Sequence, residues 1–155
     1  MPTILNTGIS YDDKGMYLTN SAYFLTCNCE RVSLKYLLAV LNSKVADYYF
    51  SQKTARIAGG RMRYTKQYVE QIPIPQIPLK EQQPFIILVD QTLAAKKDNP
   101  HSDTTLLERQ IDEMVYKLYE LTYEEVKVVD PEFWLSEEEY ERVNISSAEE
   151  INESV

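Results

Sequence analysis

The apolar positions along the chain change their period near residue 33. Before it they come in short aromatic-rich runs: Ile9-Ser-Tyr11 leading into the turn-type Asp12-Asp-Lys-Gly15, then Met16-Tyr-Leu-Thr19, then Tyr23-Phe-Leu-Thr-Cys27. Such runs, bounded by Asp, Asn and Gly, predict strands joined as hairpins. From Ser33 the apolar residues Leu34, Leu37, Leu38, Leu41 and Val45 recur at helical spacing. That stripe predicts one helix, with Ser33 as N-cap and Val32 and Leu37 as a hydrophobic staple. The pattern extends through Tyr48 and Tyr49 and stops before Gly59-Gly60. A short helical segment is expected from Thr65 to Gln71.

Ile72-Pro-Ile-Pro-Gln-Ile-Pro78 then interrupts any regular element. Proline lacks the N–H that a helix or a central strand needs, so this stretch is an extended connector and an internal boundary. Beyond it every period is helical. Phe85, Leu88, Val89 and Leu93 form one stripe, with Pro84 placed in the first turn. Leu107, Ile111, Met114, Val115 and Leu118 form a second, opened by a capping box from Thr105 to Glu108. Thr122 to Glu125 is another capping box, with Leu121 and Val126 as its staple, and Ser136 to Glu139 a third, with Leu135 and Tyr140. The predicted fold is α/β (α+β): a small twisted β-sheet with packed helices, followed by an antiparallel helical C-terminal part. It divides into residues 1–78, a helical support or spacer region at 79–135, and an acidic, partly disordered tail at 136–155.

Charge changes this picture. The chain of 155 residues carries a net charge of −8, which argues against nucleic acid. Residues 1–100, however, hold 12 basic against 8 acidic side chains, and residues 101–155 hold 4 against 16. The acidity belongs to the C-terminal third, so the whole-chain balance is a poor guide to partners. No run of about 18 apolar residues is present, so no membrane span is expected, and the N-terminus does not read as a signal peptide. Cys27 and Cys29 are too close in sequence to pair without strain, which points to reduced thiols and a cytoplasmic setting.

The chemically distinctive stretch is Ser51-Gln-Lys-Thr-Ala-Arg-Ile-Ala-Gly-Gly-Arg-Met-Arg-Tyr-Thr-Lys66. It holds five basic residues, Lys53, Arg56, Arg61, Arg63 and Lys66, and no acidic one. Gly59 and Gly60 let the backbone take positive φ and approach a partner closely. Arginine pairs bidentately with guanine or phosphate, while Lys and backbone N–H groups hold phosphates and set register. Thr54 and Tyr64 add polar and stacking capacity. Lys53, Thr54, Arg56, Gly59, Gly60, Arg61, Arg63, Tyr64 and Lys66 are therefore the candidate DNA contacts, with Arg61 and Arg63 nearest the bases and Lys53 and Lys66 on phosphates. The rival reading is a solvated basic loop around an ordinary Gly-Gly turn.

Catalytic readings lack material. His101 is the only histidine, so His-based triads and His/Cys metal sites cannot be assembled. There is no Gly-x-Gly cofactor loop and no Gly-Lys-Ser/Thr phosphate loop. Asp98-Asn-Pro-His101 reads as a turn. Glu124-Glu125 and Glu137-Glu138-Glu139 fall at helix N-termini, where carboxylates favour the dipole, and the tyrosines at 116, 119 and 123 read as core.

Three segments carry a family resemblance. Tyr36-Leu-Leu-Ala-Val-Leu-Asn-Ser-Lys44 followed by Tyr48-Tyr-Phe50 resembles the "LLxxLNS…YF" helix of TaqI-like C-terminal specificity domains. Tyr68-Val-Glu-Gln-Ile-Pro-Ile-Pro75 with Glu81-Gln-Gln-Pro-Phe85 resembles that family's proline connector, shared with type I restriction specificity subunits. Ile111-Asp-Glu-Met-Val-Tyr-Lys-Leu-Tyr-Glu-Leu-Thr-Tyr-Glu-Glu125 is similar to the helix pair near the ends of such proteins. The resemblance spans Gly15 to Asp130, and the tail beyond is outside the pattern. It implies a DNA target-recognition region at 1–78, within a longer restriction–modification protein. That parent would be an adenine-N6 methyltransferase using S-adenosylmethionine, with or without an endonuclease activity. The partners implied are double-stranded DNA and the methyltransferase and nuclease domains of the parent chain. No membrane, small-molecule substrate, metal or cofactor of this chain's own is expected. The alternative is a helical protein-interaction module without DNA contact, docking through helices that carry Leu107 and Val115.

Overall fold

The computed structural model describes residues 9–15, 17, 23–26, 30–53 and 65–145. Among the described residues the chain is helical: α1 (Leu34–Leu41), α2 (Lys44–Lys53), α3 (Lys66–Val69), α4 (Leu79–Asp98), α5 (Thr105–Leu118), α6 (Tyr123–Val129) and α7 (Glu137–Arg142). They include no strand beyond an isolated bridge position at Ser10, so the α/β (α+β) expectation of a small twisted sheet is overturned. The packing explains why. A half-buried strand must hide alternate side chains, yet Tyr23, Phe24 and Leu25 are 67%, 58% and 44% exposed. Aromatic content alone does not make a strand when no surface covers one face. The turn at the end of the first run does form: Lys14 N–H donates to Asp12 Oδ1 at 2.9 Å, and Gly15 takes φ +70°, open to glycine without strain.

The single helix expected from Ser33 is two. α1 starts at Ser33, whose hydroxyl accepts from Lys35 N–H. It stops at Asn42, whose side-chain amide donates back to Leu38 O and to Ile9 O. Ser43 then restarts the chain as α2: its carbonyl accepts from Asp47 N–H and its hydroxyl from Ala46 N–H. Asn and Ser compete with helical hydrogen bonding through their side chains, and an apolar stripe does not register that competition.

Pro84 is not in the first turn. α4 begins at Leu79, placing Pro84 in its second turn. The backbone acceptor left without its partner there is on Lys80, which is exposed to water. The fourth difference is at α5. Thr105 is its first residue rather than its cap. Asp103 Oδ1 accepts from both the N–H and the hydroxyl of Thr105, and Thr104 donates to Glu108. The boxes at Thr122–Glu125 and Ser136–Glu139 are complete, which holds both glutamates below the usual carboxylate range.

Apolar burial falls into three clusters. The first joins Tyr36, Leu38, Ala39 and Val40 of α1 to Phe85, Leu88 and Val89 of α4 and to Ile111, Met114 and Val115 of α5. The packing therefore crosses the proline connector. The second gathers Leu41, Ala46, Phe50 and Ile72 around α2. The third is aromatic: Tyr116, Phe133 and Tyr140 with Val126, joined by Tyr123 and Trp134 at the rim. Tyr116 and Tyr140 each meet Phe133 edge-on, at centroid distances of 5.5 and 5.7 Å. Tyr140, in the acidic segment, is thus fully buried, and Lys117 Nζ sits 3.8 Å over its ring.

The connector itself is pinned by hydroxyls. Tyr36 donates to Pro75 O and Tyr119 to Pro73 O, both at 2.7 Å, and burial drives the Tyr119 phenol up to about 12. At its end stands Gln82, fully buried. Its carbonyl oxygen accepts from Ser33 N–H, and its amide donates to Arg31 O and Ile77 O. One side chain thereby ties the start of α1 to the start of α4. Gln82→Ala leaves those three backbone groups unpartnered. It is expected to lower stability by about 2–4 kcal/mol in chemical denaturation, with α1 exchanging its amides faster. α5 ends in a Schellman motif, with Leu121 N–H on Tyr116 O and Glu120 N–H on Lys117 O. That motif puts Glu120 at φ 55°, a position that favours glycine. Glu120→Gly is expected to raise stability by up to about 1 kcal/mol, and a thermal melt lower than that of the unaltered protein would refute the strain.

Candidate nucleic-acid interface

Of the candidate contacts, Thr54, Arg56, Gly59, Gly60, Arg61, Arg63 and Tyr64 lie outside the described residues. Lys53 and Lys66, which flank them, are placed. Lys53 is the last residue of α2; it is exposed, with its ammonium 5.9 Å from the centroid of Tyr49. Lys66 opens α3 and pairs with Glu70 one turn on, at 3.5 Å. Both side chains of that pair are well exposed, so it is worth little and leaves Lys66 available to an anion. At this margin Thr65 caps α3 by position without a side-chain cap bond, and its buried hydroxyl has no partner among the described residues.

α2 is the stem of this segment. Its fully buried side chains are Ala46 and Phe50, which face the second cluster. Tyr48, Gln52 and Lys53 are exposed. The stem is fixed at its first residue. Lys44 N–H donates to Asp112 Oδ1 at 2.9 Å, and Lys44 Nζ meets Asp130 Oδ1 at 2.8 Å. Tyr116 donates its hydroxyl to the other oxygen of Asp130 at 3.3 Å. Asp112 projects from α5 and Asp130 caps α6. Both carboxylates are buried, whereas Lys44 remains 45% exposed along its side chain.

This network escaped the sequence reading. The available signal was Asp112 directly after Ile111, a carboxylate on the margin of an otherwise apolar stripe. The "LNS" motif also acquires a physical role here. Asn42 ends α1, Ser43 begins α2, and Lys44 receives the two carboxylates. His101 lies in an exposed turn, its N–H on Asn99 Oδ1, as the Asp98–His101 stretch suggested. Among the described residues no three His, Cys, Asp or Glu side chains converge as metal ligands, and no helix is long and apolar enough to cross a membrane.

Residues 3–74 match the TaqI-like C-terminal specificity domain. The match covers a little under half of the chain and includes all of α1, α2 and α3 with the basic segment between the last two. It ends inside the proline connector. The resemblance carried by the "LNS" helix and by Tyr68–Pro75 thus holds as a family match up to Ile74. A domain of this kind is the specificity part of restriction–modification enzymes and not their catalytic part. Asp112 and Asp130 lie beyond the matched segment. No solved structure matches the chain at a significant level.

Burial raises Asp112 from the usual carboxylate range to about 7, against the opposing hydrogen bond and charge from Lys44. The native state therefore holds this proton more tightly than the unfolded chain does. The stability contributed by this group is complete below about pH 4 and is lost as pH rises through 7. Denaturation between pH 4 and pH 8 is expected to show a decline on the order of 2–4 kcal/mol from Asp112. Asp112→Asn keeps an acceptor for Lys44 N–H and removes the titration. A variant whose pH–stability profile matched that of the unaltered protein would show that Asp112 does not titrate there.

Proposed function

We propose that this chain is the DNA target-recognition module of a restriction–modification methyltransferase, binding duplex DNA through the basic segment from Lys53 to Lys66. The observation that carries the reading is coincidence of place. The specificity-domain match spans the segment in the chain with five basic and no acidic residues, counted from Ser51 to Lys66. α2 and α3 end and begin at its two lysines. In this reading Arg61 and Arg63 address base edges, while Lys53, Arg56 and Lys66 address phosphates. Thr54 and Tyr64 add polar and stacking contacts, and Gly59 and Gly60 allow the close backbone approach.

Residues 1–78 then serve recognition, 79–135 support, and 136–155 form an acidic tail. The strongly acidic C-terminal third faces away from the duplex, because like charge would repel it. Methyl transfer from S-adenosylmethionine, and any strand cleavage, belong to other domains of the parent protein. The chain then works in the cytoplasm, where duplex DNA is available. The alternative, docking of a protein through Leu107 and Val115, is weakened by their position. Val115 is fully buried and Leu107 packs against the first cluster, so both are used within the fold.

The measurement is anisotropy of labelled duplex at several salt concentrations. Engagement of three to five phosphates gives a slope of log affinity against log salt of about −3 to −4.5. Lys66→Ala is expected to lower the steepness by about 1. Arg61→Ala and Arg63→Ala are expected to cost about 1–3 kcal/mol each on the preferred sequence and less on others. Equal binding and equal methylation by all three variants, measured also in the parent enzyme, would show the contact assignment to be wrong.

A further inference from the structure

We infer that Asp130, with Asp112, is a positioning residue for sequence discrimination, acting at a distance by fixing the N-terminus of α2. This rests on the reading of Lys53–Lys66 as the DNA contact. Along its length α2 is held mainly by apolar packing, with Val45 and Tyr49 partly buried against the clusters beside its two fully buried side chains. Over its ten residues only Ala46 and Phe50 are fully buried. Its first residue, in contrast, is gripped twice, by the backbone on Asp112 and by the ammonium on Asp130. Asp130 is itself oriented by the Tyr116 hydroxyl, and its N–H closes α6 on Val126 O at 2.7 Å. Three helices thus converge on Lys44: the one it starts, α5 and α6.

The far end of α2 is Lys53, where the basic segment leaves. A helix of ten residues is about 15 Å long, so a tilt of about 10° at Lys44 moves Lys53 by about 2–3 Å. Hydrogen bonds to base edges need placement to about 0.5 Å, whereas lysine on phosphate tolerates such a shift. Loosening the anchor should therefore erode discrimination among sequences and spare the electrostatic part of binding. The anchor comes from residues after the family match and the contact from residues within it, so the helical part is more than a spacer.

The experiment uses the full chain, the variants Asp130→Asn, Lys44→Met, Lys44→Arg and the double Lys44→Met/Asp130→Asn, and a duplex selected from a randomised pool on the unaltered protein. Lys44→Met leaves the Asp130 carboxylate buried and unpaired, and the double variant removes both charges, so a folded member remains even where a single variant is unstable. Asp130→Asn and the double variant are expected to lower the ratio of preferred to random duplex binding about tenfold with the salt slope unchanged. Lys44→Arg, which keeps a cation opposite Asp130, should retain most of that ratio. Amide exchange should rise in 44–53 while α1 and α4 stay protected. An unchanged ratio with faster exchange overturns the positioning role. Unchanged exchange overturns the anchor itself. No DNA binding by the unaltered protein, with exchange changed as expected, overturns the DNA reading and with it the specificity role, while the anchor stands.

Discussion

Lys44 stands where two opposing costs are resolved together. Asp112 and Asp130 are buried carboxylates, and an unpaired charge in that position would be strongly destabilising. The start of α2 offers the compensating groups: an N–H with no partner inside the helix, the positive end of the helix dipole, and an ammonium on a stem long enough to reach past it. The carboxylates find their partners because α2 starts there, and α2 gains two bonds at its first residue beyond the packing of its apolar side chains. The break at Asn42–Ser43 makes this possible, since a continuous helix would have no free N–H at Lys44 to offer.

The same economy of polar groups governs the rest of the chain. Gln82 serves the backbone at three points with one amide, and two tyrosine hydroxyls hold carbonyls of the proline connector. A connector containing three prolines has few N–H groups to offer a neighbour, so it can only be held through its carbonyls. The donors come from α1 and α5, the helices whose apolar faces meet in the first cluster. The segments before and after the connector are consequently mechanically joined: α2 is bonded by Asp112 and Asp130, and the connector in part by Tyr119, all from beyond it.

For function, this separates what contacts DNA in the proposed reading from what aims the contact. The basic segment supplies positive charge and two adjacent glycines. In that reading its stem needs a defined direction, to which the half-exposed ion pair of Lys44 with Asp130 and the hydrogen bond to Asp112 contribute. The acidic C-terminal third, unfavourable near a duplex, builds a rigid aromatic cluster around Tyr116, Phe133 and Tyr140 and contributes Asp130 to the stem.

Much of this was legible in the residues. Helical stripes, the Ser33 cap, the boxes at Thr122 and Ser136, the extended prolines and the core placement of Tyr116 all follow from local periodicity and local hydrogen bonding, which neighbours in sequence determine by themselves. The resemblance to a specificity domain, matched over residues 3–74, was legible from the order and spacing of short motifs. The absent sheet, the division of α1 from α2, the position of Pro84 within α4 and the cap of α5 were not. The sheet turned on whether a distant surface covered an apolar face, the helix break and the α5 cap on side chains that outcompeted the backbone for a hydrogen bond, and Pro84 on an acceptor at Lys80 that lies open to water. The basic segment from Ser51 to Lys66 shows both sides. Its charge and glycines are sequence facts, but the bonds at the first residue of its stem come from Asp112 and Asp130, which lie 68 and 86 residues from Lys44 and reach it only through the packing of α5 and α6.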